Sequence, residues 1–367
     1  MMIQSDAECG EHIDRISSLP CNIIETILEY MPVEDIIKTS ILSRKWRYRW
    51  TSVQRLEFTN NFFEKSKHFE ICSIITEVLF LHNGSIHDFI LHIPPNYSIK
   101  MQCLGKWLLF LSRKDIKEIQ LASLQIDPPQ VPSHIFSCQD LTYLHVQGFR
   151  LPIAPNFSGF KNLTFLYLFD VIFESDTCEK MVSGCPLLRA LTVSNCSGFE
   201  HINVSSPVLQ YLLIECDQVM KSICLKKAKD LVNLTLWGYR LEDNFEGDWV
   251  SDFMKSLQKI EKLHLGGGYI QSKSDAVGPQ MVLRGFEFNK CCFSRLQIVN
   301  ITVGTAYKCA LSLIRFVLAK SSSLEILNFK VGFGLNQLST RSISRISRNL
   351  LRMKRASSRA EVKLVRH

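Results

Sequence analysis

The chain has 367 residues, 46% apolar and 21% charged, with 12 Pro and 17 Gly, which is the composition of a folded protein and excludes a disordered or collagen-like one. Its net charge of +8 is concentrated at one end: residues 341–367 hold Arg341, Arg345, Arg348, Arg352, Lys354, Arg355, Arg359, Lys363 and Arg366 against Glu361, and the rest balances. This distribution argues against a chain-wide nucleic-acid footprint, and the longest apolar run, Trp107-Leu-Leu-Phe-Leu111, is far too short for a membrane span.

In chain order, residues 1–11 read as a flexible N-terminus, and MMIQSDAECG has neither the basic nor the apolar region expected of a secretory signal. The 13 cysteines are scattered without a C-x-x-C pair, so reduced thiols in the nucleus and/or cytoplasm are expected. Ile23, Ile24, Ile27, Leu28 and Met31 recur at helical spacing and predict a first short helix that Pro32 stops. Acidic Glu34 and Asp35 then open a second helix through Ile36, Ile37 and Ile41, and Ser43 caps a third carrying Trp46, Tyr48 and Trp50. Three short helices cannot bury this much apolar surface by themselves. A partner, or the remainder of the chain, must cover part of it.

From about residue 53 onward the chain is repetitive. L-x-x-L-x-L, with Ile, Val or Phe allowed, begins at Ile116, Leu141, Leu163, Leu188, Leu209, Leu231, Ile260, Leu296 and Leu324, with a plausible earlier copy at Ile86 and a weaker one at Val53. From 116 to 231 the starts are 25, 22, 25, 21 and 22 residues apart, in the range of leucine-rich repeats. Alternating apolar positions turn inward and one repeat cannot bury them alone, so the copies must stack. The later intervals are stretched, and one holds the polar loop QSKSDAVGPQ, so an irregular solenoid is expected. Positions three, five and seven of each repeat should line the concave sheet face. There the candidate target-binding residues are Tyr143, His145, Phe165, Tyr167, Phe169, Tyr211 and Trp237, because dense surface aromatics mark contact sites.

No chemistry stands out. The 10 His form neither H-E-x-x-H nor any paired metal spacing, Gly266-Gly267-Gly268 lacks the Lys of a phosphate loop and reads as a turn, and no nucleophile pair is evident. No metal, cofactor or catalytic residue is expected. At the end of the chain Arg341, Arg345, Arg348 and Arg352 alternate with Ile343, Ile346, Leu350 and Met353, an amphipathic helix capping the solenoid, and Glu361–Val365 reads as a closing strand.

Several ordered stretches resemble a known family. Asp14-Arg-Ile-Ser-Ser-Leu-Pro20, Ile23, Ile27-Leu28, Met31-Pro32, Asp35, Thr39-Ser40-Ile-Leu-Ser43, Trp46-Arg47 and Trp50 resemble the F-box, with Met31 where that family prefers Leu. Trp107-LLFLSRKDIKEIQL121, Gly184-Cys-Pro-Leu-Leu188 and the closing ISRNLLRMKRASSRAEVKL make the whole chain similar to plant F-box proteins with leucine-rich repeats and a C-terminal FBD segment. The resemblance implies an α/β chain: a three-helix F-box over 12–55, an irregular horseshoe solenoid over 56–290, and last repeats with an FBD-like helix–strand cap over 291–367. It also implies a non-catalytic substrate receptor of a ubiquitin ligase, whose F-box docks on a Skp-type adaptor and through it on cullin and RING subunits. By that analogy Leu19, Pro20, Ile23, Leu28, Leu42, Trp46 and Trp50 are candidates for adaptor contact, while the repeats hold an unidentified target. A non-degradative scaffold or ligand sensor is the alternative.

Overall fold

The computed structural model describes residues 16, 18–44, 46–67, 70–152, 156–174, 176–215, 219–238, 240–241, 259–266, 293–303, 307–331 and 340–365. The N-terminal module begins with α1 (Cys21–Glu29), whose N-cap is Pro20, and continues with α2 (Val33–Lys38), whose N-cap is Pro32. Proline is suited to both places, because its missing N–H has no intrahelical partner at a helix start. The Thr39 and Ser40 hydroxyls donate to the carbonyls of Ile36 and Ile37, so α2 tightens into a 3-10 turn over Thr39–Ile41.

The expected third helix does not form. Turns lead from Ser43 to a 3-10 helix, Arg49–Ser52, where the Thr51 and Ser52 hydroxyls bond back to the carbonyls of Tyr48 and Arg49. Such back-bonding competes with the i→i−4 ladder and favours a short tight turn.

Twelve strands then form one parallel sheet in which spatial order equals chain order. They are β1 (Arg55–Phe58), β2 (Asp88–Ile93), β3 (Glu118–Ser123), β4 (Tyr143–Gln147), β5 (Phe165–Phe169), β6 (Ala190–Ser194), β7 (Tyr211–Glu215), β8 (Asn233–Trp237), β9 (Lys262–Gly266), β10 (Ile298–Val303), β11 (Ile326–Val331) and β12 (Glu361–Val365). Parallel neighbours need a crossover between them, so each repeat is one turn of a solenoid. The weak copy at Val53 supplies β1 and the plausible one at Ile86 supplies β2. β9 pairs with β10 across the stretched interval, so the sheet shows no division at residue 290; the QSKSDAVGPQ loop and Gly267-Gly268 lie outside the described residues.

Strand register is uniform, and it aligns the apolar positions into two inner rows. Leu144, Leu166, Leu191, Leu212, Leu234 and Leu263 run along one, and Val146, Leu168, Val193, Ile214, Leu236 and Leu265 along the other, all buried. The returns that cover these rows follow the spacing of the repeats. Long intervals hold helices: α3 (Asn60–Lys65) and α4 (Ile71–Leu81) after β1, α5 (Met101–Leu111) after β2, and α6 (Thr177–Ser183) after β5. Later come α7 (Tyr307–Lys320) after β10 and α8 (Thr340–Leu351) after β11. The short intervals have room only for extended backbone, which pairs between successive repeats, as His201–Asn203 does with Ser222–Cys224.

A single apolar core links the module to the repeats. Ile24, Leu28, Val33, Ile36, Trp46 and Trp50 belong to the same buried cluster as Leu56, Phe58 and the strands beyond. The joint is also hydrogen-bonded: Thr51 O accepts from the amides of Asn83 and Gly84, and buried His82 donates from Nε2 to Val53 O at 2.8 Å. On the surface Lys65 of α3 bridges Glu34 and Asp35 of α2. At the other end Ile346 and Leu350 of α8 and Met353 pack inward, its arginines stay exposed, and β12 pairs parallel to β11.

Candidate interaction surfaces

In the module, helical spacing sorts the isoleucines of α1 by side. Ile24 and Leu28, four apart, point into the core; Ile23 and Ile27, one step round the helix, are 43% and 41% exposed. Of the residues expected to meet an adaptor, Pro20, Ile23 and Leu42 reach solvent and Leu19 is half-buried. Leu28 (0% exposed), Trp46 (3%) and Trp50 (7%) do not. They lie in the continuous buried core that runs from the module into the repeats, and a side chain already enclosed by its own chain has no surface to offer.

Other side chains replace them outside. Ile16, Tyr30, Ile41 and Tyr48 are exposed together with Ile27 and Leu42. The signal that could have found Ile27 is the doublet Ile23-Ile24 repeated as Ile27-Leu28. It makes an apolar band wider than one packed side of a nine-residue helix needs.

On the sheet, register brings five of the seven aromatic and histidine candidates together. The Tyr143 ring lies 6.3 Å from Phe165 and 5.4 Å from Tyr167, and His145 meets Phe169 edge-on at 5.4 Å and 88°. Centroid separations of this size are those of favourable aromatic pairs. Phe165 is exposed, and Tyr143, His145, Tyr167 and Phe169 are half-buried by one another and by the sheet. Tyr211 and Trp237 stand apart, because the small residues of β6, Ala190, Thr192 and Ser194, come between them and the cluster.

Charge is distributed unevenly over this outer face. Near β1–β3 it carries Glu57, Asp88 and Glu118 with Arg55, which pairs with Glu57 at 3.0 Å and Asp88 at 3.6 Å. Burial raises the Asp88 and Glu118 carboxyls above their ordinary range, Glu118 further through the adjacent Asp88. Burial likewise lowers His145 and His92, and His92 repels a proton on His145.

Near β9–β12 the face is polar and basic, with Lys262, Lys330 and Lys363 against Glu361. Asn328 donates to Asn300 Oδ1 at 2.8 Å, and Asn300 donates to His264 Nε2 at 2.5 Å. This direction places the His264 proton on Nδ1, and burial followed by Lys262 keeps the ring below its ordinary pKa. Asn300 and Asn328 were not among the residues singled out from the sequence. Both occupy position five of their repeats, so the register contained that signal.

Among the described residues no group of three His, Cys, Asp or Glu side chains could hold a metal, and no helix is long and apolar enough to cross a membrane.

The F-box domain model matches residues 16–58, and the model for the leucine-rich repeats of the FBD-associated F-box protein At5g56370 matches 104–247. An F-box/FBD/LRR-repeat protein of Arabidopsis thaliana, At1g13570, is 36% identical over 271 residues, covering 71% of this chain and 63% of its own. F-box/LRR-repeat protein 13 of the same plant is 29% identical over 214 residues, covering 55% of this chain and 46% of its own. The chain thus spans less than two thirds of the length of either relative. With an F-box at its start, FBD-associated repeats through its middle and these relatives, the chain belongs to the plant F-box/FBD/leucine-rich-repeat proteins.

Proposed function

We propose that the chain is the target-recognition subunit of a Skp–cullin–F-box ubiquitin ligase. One observation carries the reading: the module buries Leu28, Trp46 and Trp50 in the chain's own core, yet leaves Ile16, Ile23, Ile27, Ile41 and Leu42 in water. Apolar side chains in such density on so small a module are what a docking surface needs. The adaptor contact is assigned to these residues together with Leu19 and Pro20. Through the adaptor the chain joins cullin and RING subunits in the nucleus and/or cytoplasm, and the Tyr143–Phe169 cluster and the outer face beyond it hold the target.

Its contribution to the reaction is proximity. Holding a target beside a ubiquitin-charged enzyme raises the effective concentration of its lysines, and the chain itself makes no bond. α8 and β12 are assigned to the FBD segment, as the cap of the sheet's last strands.

Co-purification with a Skp-type adaptor tests the first step. Wild type should retain the adaptor and Ile23→Asp with Ile27→Asp should lose it while melting at an unchanged temperature; equal retention by both would end the proposal. Transfer of ubiquitin to a protein held by the repeats, in the reconstituted ligase, separates a degradative receptor from a scaffold.

A further inference from the structure

The depression on the outer face across β8–β12 has walls of different chemistry. It measures about 330 Å³ and is lined by Thr235, Trp237, His264, Asn300, Thr302, Asn328, Lys330 and their neighbours. Register explains its shape. Trp237, Gly266, Thr302 and Lys330 are successive in-register partners across β8–β11, so two small residues separate an indole from an ammonium group. Gly266 has no Cβ, and the benzo edge of Trp237 occupies the space one would take. The indole therefore leans along the row towards Thr302. Asn328, Asn300 and His264 form the adjoining wall, locked by their own hydrogen bonds.

Lys330 makes no ion pair among the described residues. Each of the two amides spends one N–H in the chain of bonds and keeps a second. A single ammonium among neutral donors matches a single negative charge. A phosphate dianion is better served by several cations or a bidentate guanidinium. The Glu57, Asp88 and Glu118 end of the same face repels anions, so the β9–β12 end is where an acidic group on a target would settle.

Resting on the reading of this face as the target-binding surface, we propose that the β8–β12 depression receives an aspartate or glutamate side chain of the target, its carboxylate on Lys330 and the Asn300–Asn328 wall and its flanking residues against Trp237. This specifies a peptide class: an acidic residue beside an apolar or aromatic one.

The probe is a set of fluorescent nonapeptide amide pools with random flanks and a central Glu, Asp, Gln or phosphoserine, titrated against the full chain bound to its adaptor. The Glu or Asp pool should bind about tenfold more tightly than the Gln pool, and Lys330→Met should erase that difference without altering the melting temperature. Trp237→Leu should weaken the acidic pools while keeping their preference over Gln. Equal binding of Glu and Gln pools, or an unchanged preference in Lys330→Met, would overturn the proposal. So would a phosphoserine pool that outbinds Glu, pointing to a phosphopeptide site. Adaptor retention is measured on the same samples, so failure of the acidic preference stays distinct from failure of the receptor reading.

Discussion

Gly266 and Gly184 show how the worth of one hydrogen atom depends on its neighbour. At Gly266 a methyl group would collide with the Trp237 ring, a side chain that can swing aside; at Gly184 it would meet the backbone of Ser158 and Gly159, which cannot. Gly159 itself has φ of +98°, a conformation that only glycine adopts at no cost, so two turns of the solenoid touch backbone to backbone there. Gly266→Ala should cost about 1–2 kcal/mol and shift tryptophan emission, and Gly184→Ala about 3 kcal/mol or more, measured as denaturant midpoints at constant slope. The reverse order would contradict the packing. His82 provides a second residue-level test. Burial, and then Lys114, lower its pKa from 6.5, so the unfolded chain takes up the proton first. The stability that depends on a neutral ring is complete above about pH 6.5 and is lost as pH falls from there towards the depressed native value. His92, His145 and His264 are shifted the same way. His82→Gln keeps a donor for Val53 O and should flatten the decline in stability below pH 6.5 by up to one proton's worth of slope.

Among the elements, α1 and α8 each set one side against the other. Ile23→Asp with Ile27→Asp changes the water side of α1 and should reduce adaptor affinity by roughly two orders of magnitude with the fold intact. Leu28→Asp, by contrast, buries a charge and should unfold the module. Circular dichroism melts beside adaptor binding separate the two outcomes. In α8, Leu350→Ala should cost about 2–4 kcal/mol, since the side chain is buried under the last strands. Replacing Arg345 and Arg348 by Gln should change stability by less than about 0.5 kcal/mol, because both are in water and their mutual repulsion is lost with them. A melt of the double variant several degrees below wild type would show that these arginines hold the cap in place.

For the whole molecule, a solenoid is as stable as its ends allow. The β1 edge is covered by α2 and α3, and β11 by β12. Ending the chain at residue 331 removes α8 and β12, uncovers Phe329 and Leu327, and leaves β11 as an open edge. Exposed parallel edges pair with other chains. The truncated protein should therefore melt several degrees lower and associate with increasing concentration, as light scattering would show; a monomer with unchanged melting would mean that the cap is dispensable. At the same scale the outer face runs from acidic at β1–β3, through aromatic at β4–β5, to basic at β9–β12, which gives a bound target a direction as well as a site.

The repeat, its strands and its inward rows were legible in the sequence, because a two-residue alternation specifies which side of a strand is apolar wherever neighbours stack in register. The closing strand was legible for the same reason, and the basic helix from the three- and four-residue spacing of its arginines and its apolar residues. The aromatic candidates of β4 and β5 could be named from register, but Tyr211 and Trp237 could not be told apart from them without the small residues of β6 in between. Folding decided the fate of the N-terminal module. Its helices are too short to bury their own apolar surface, so the burial of Leu28, Trp46 and Trp50 was decided by packing between elements, as of α1 on the 3-10 helix Arg49–Ser52, and not by the pattern of any one helix. The Thr39, Ser40, Thr51 and Ser52 hydroxyls, which bond to nearby carbonyls, replaced an expected helix with turns. The depression over Gly266 and Thr302 likewise exists only once four strands lie side by side, since no segment of the sequence contains both its indole and its ammonium group.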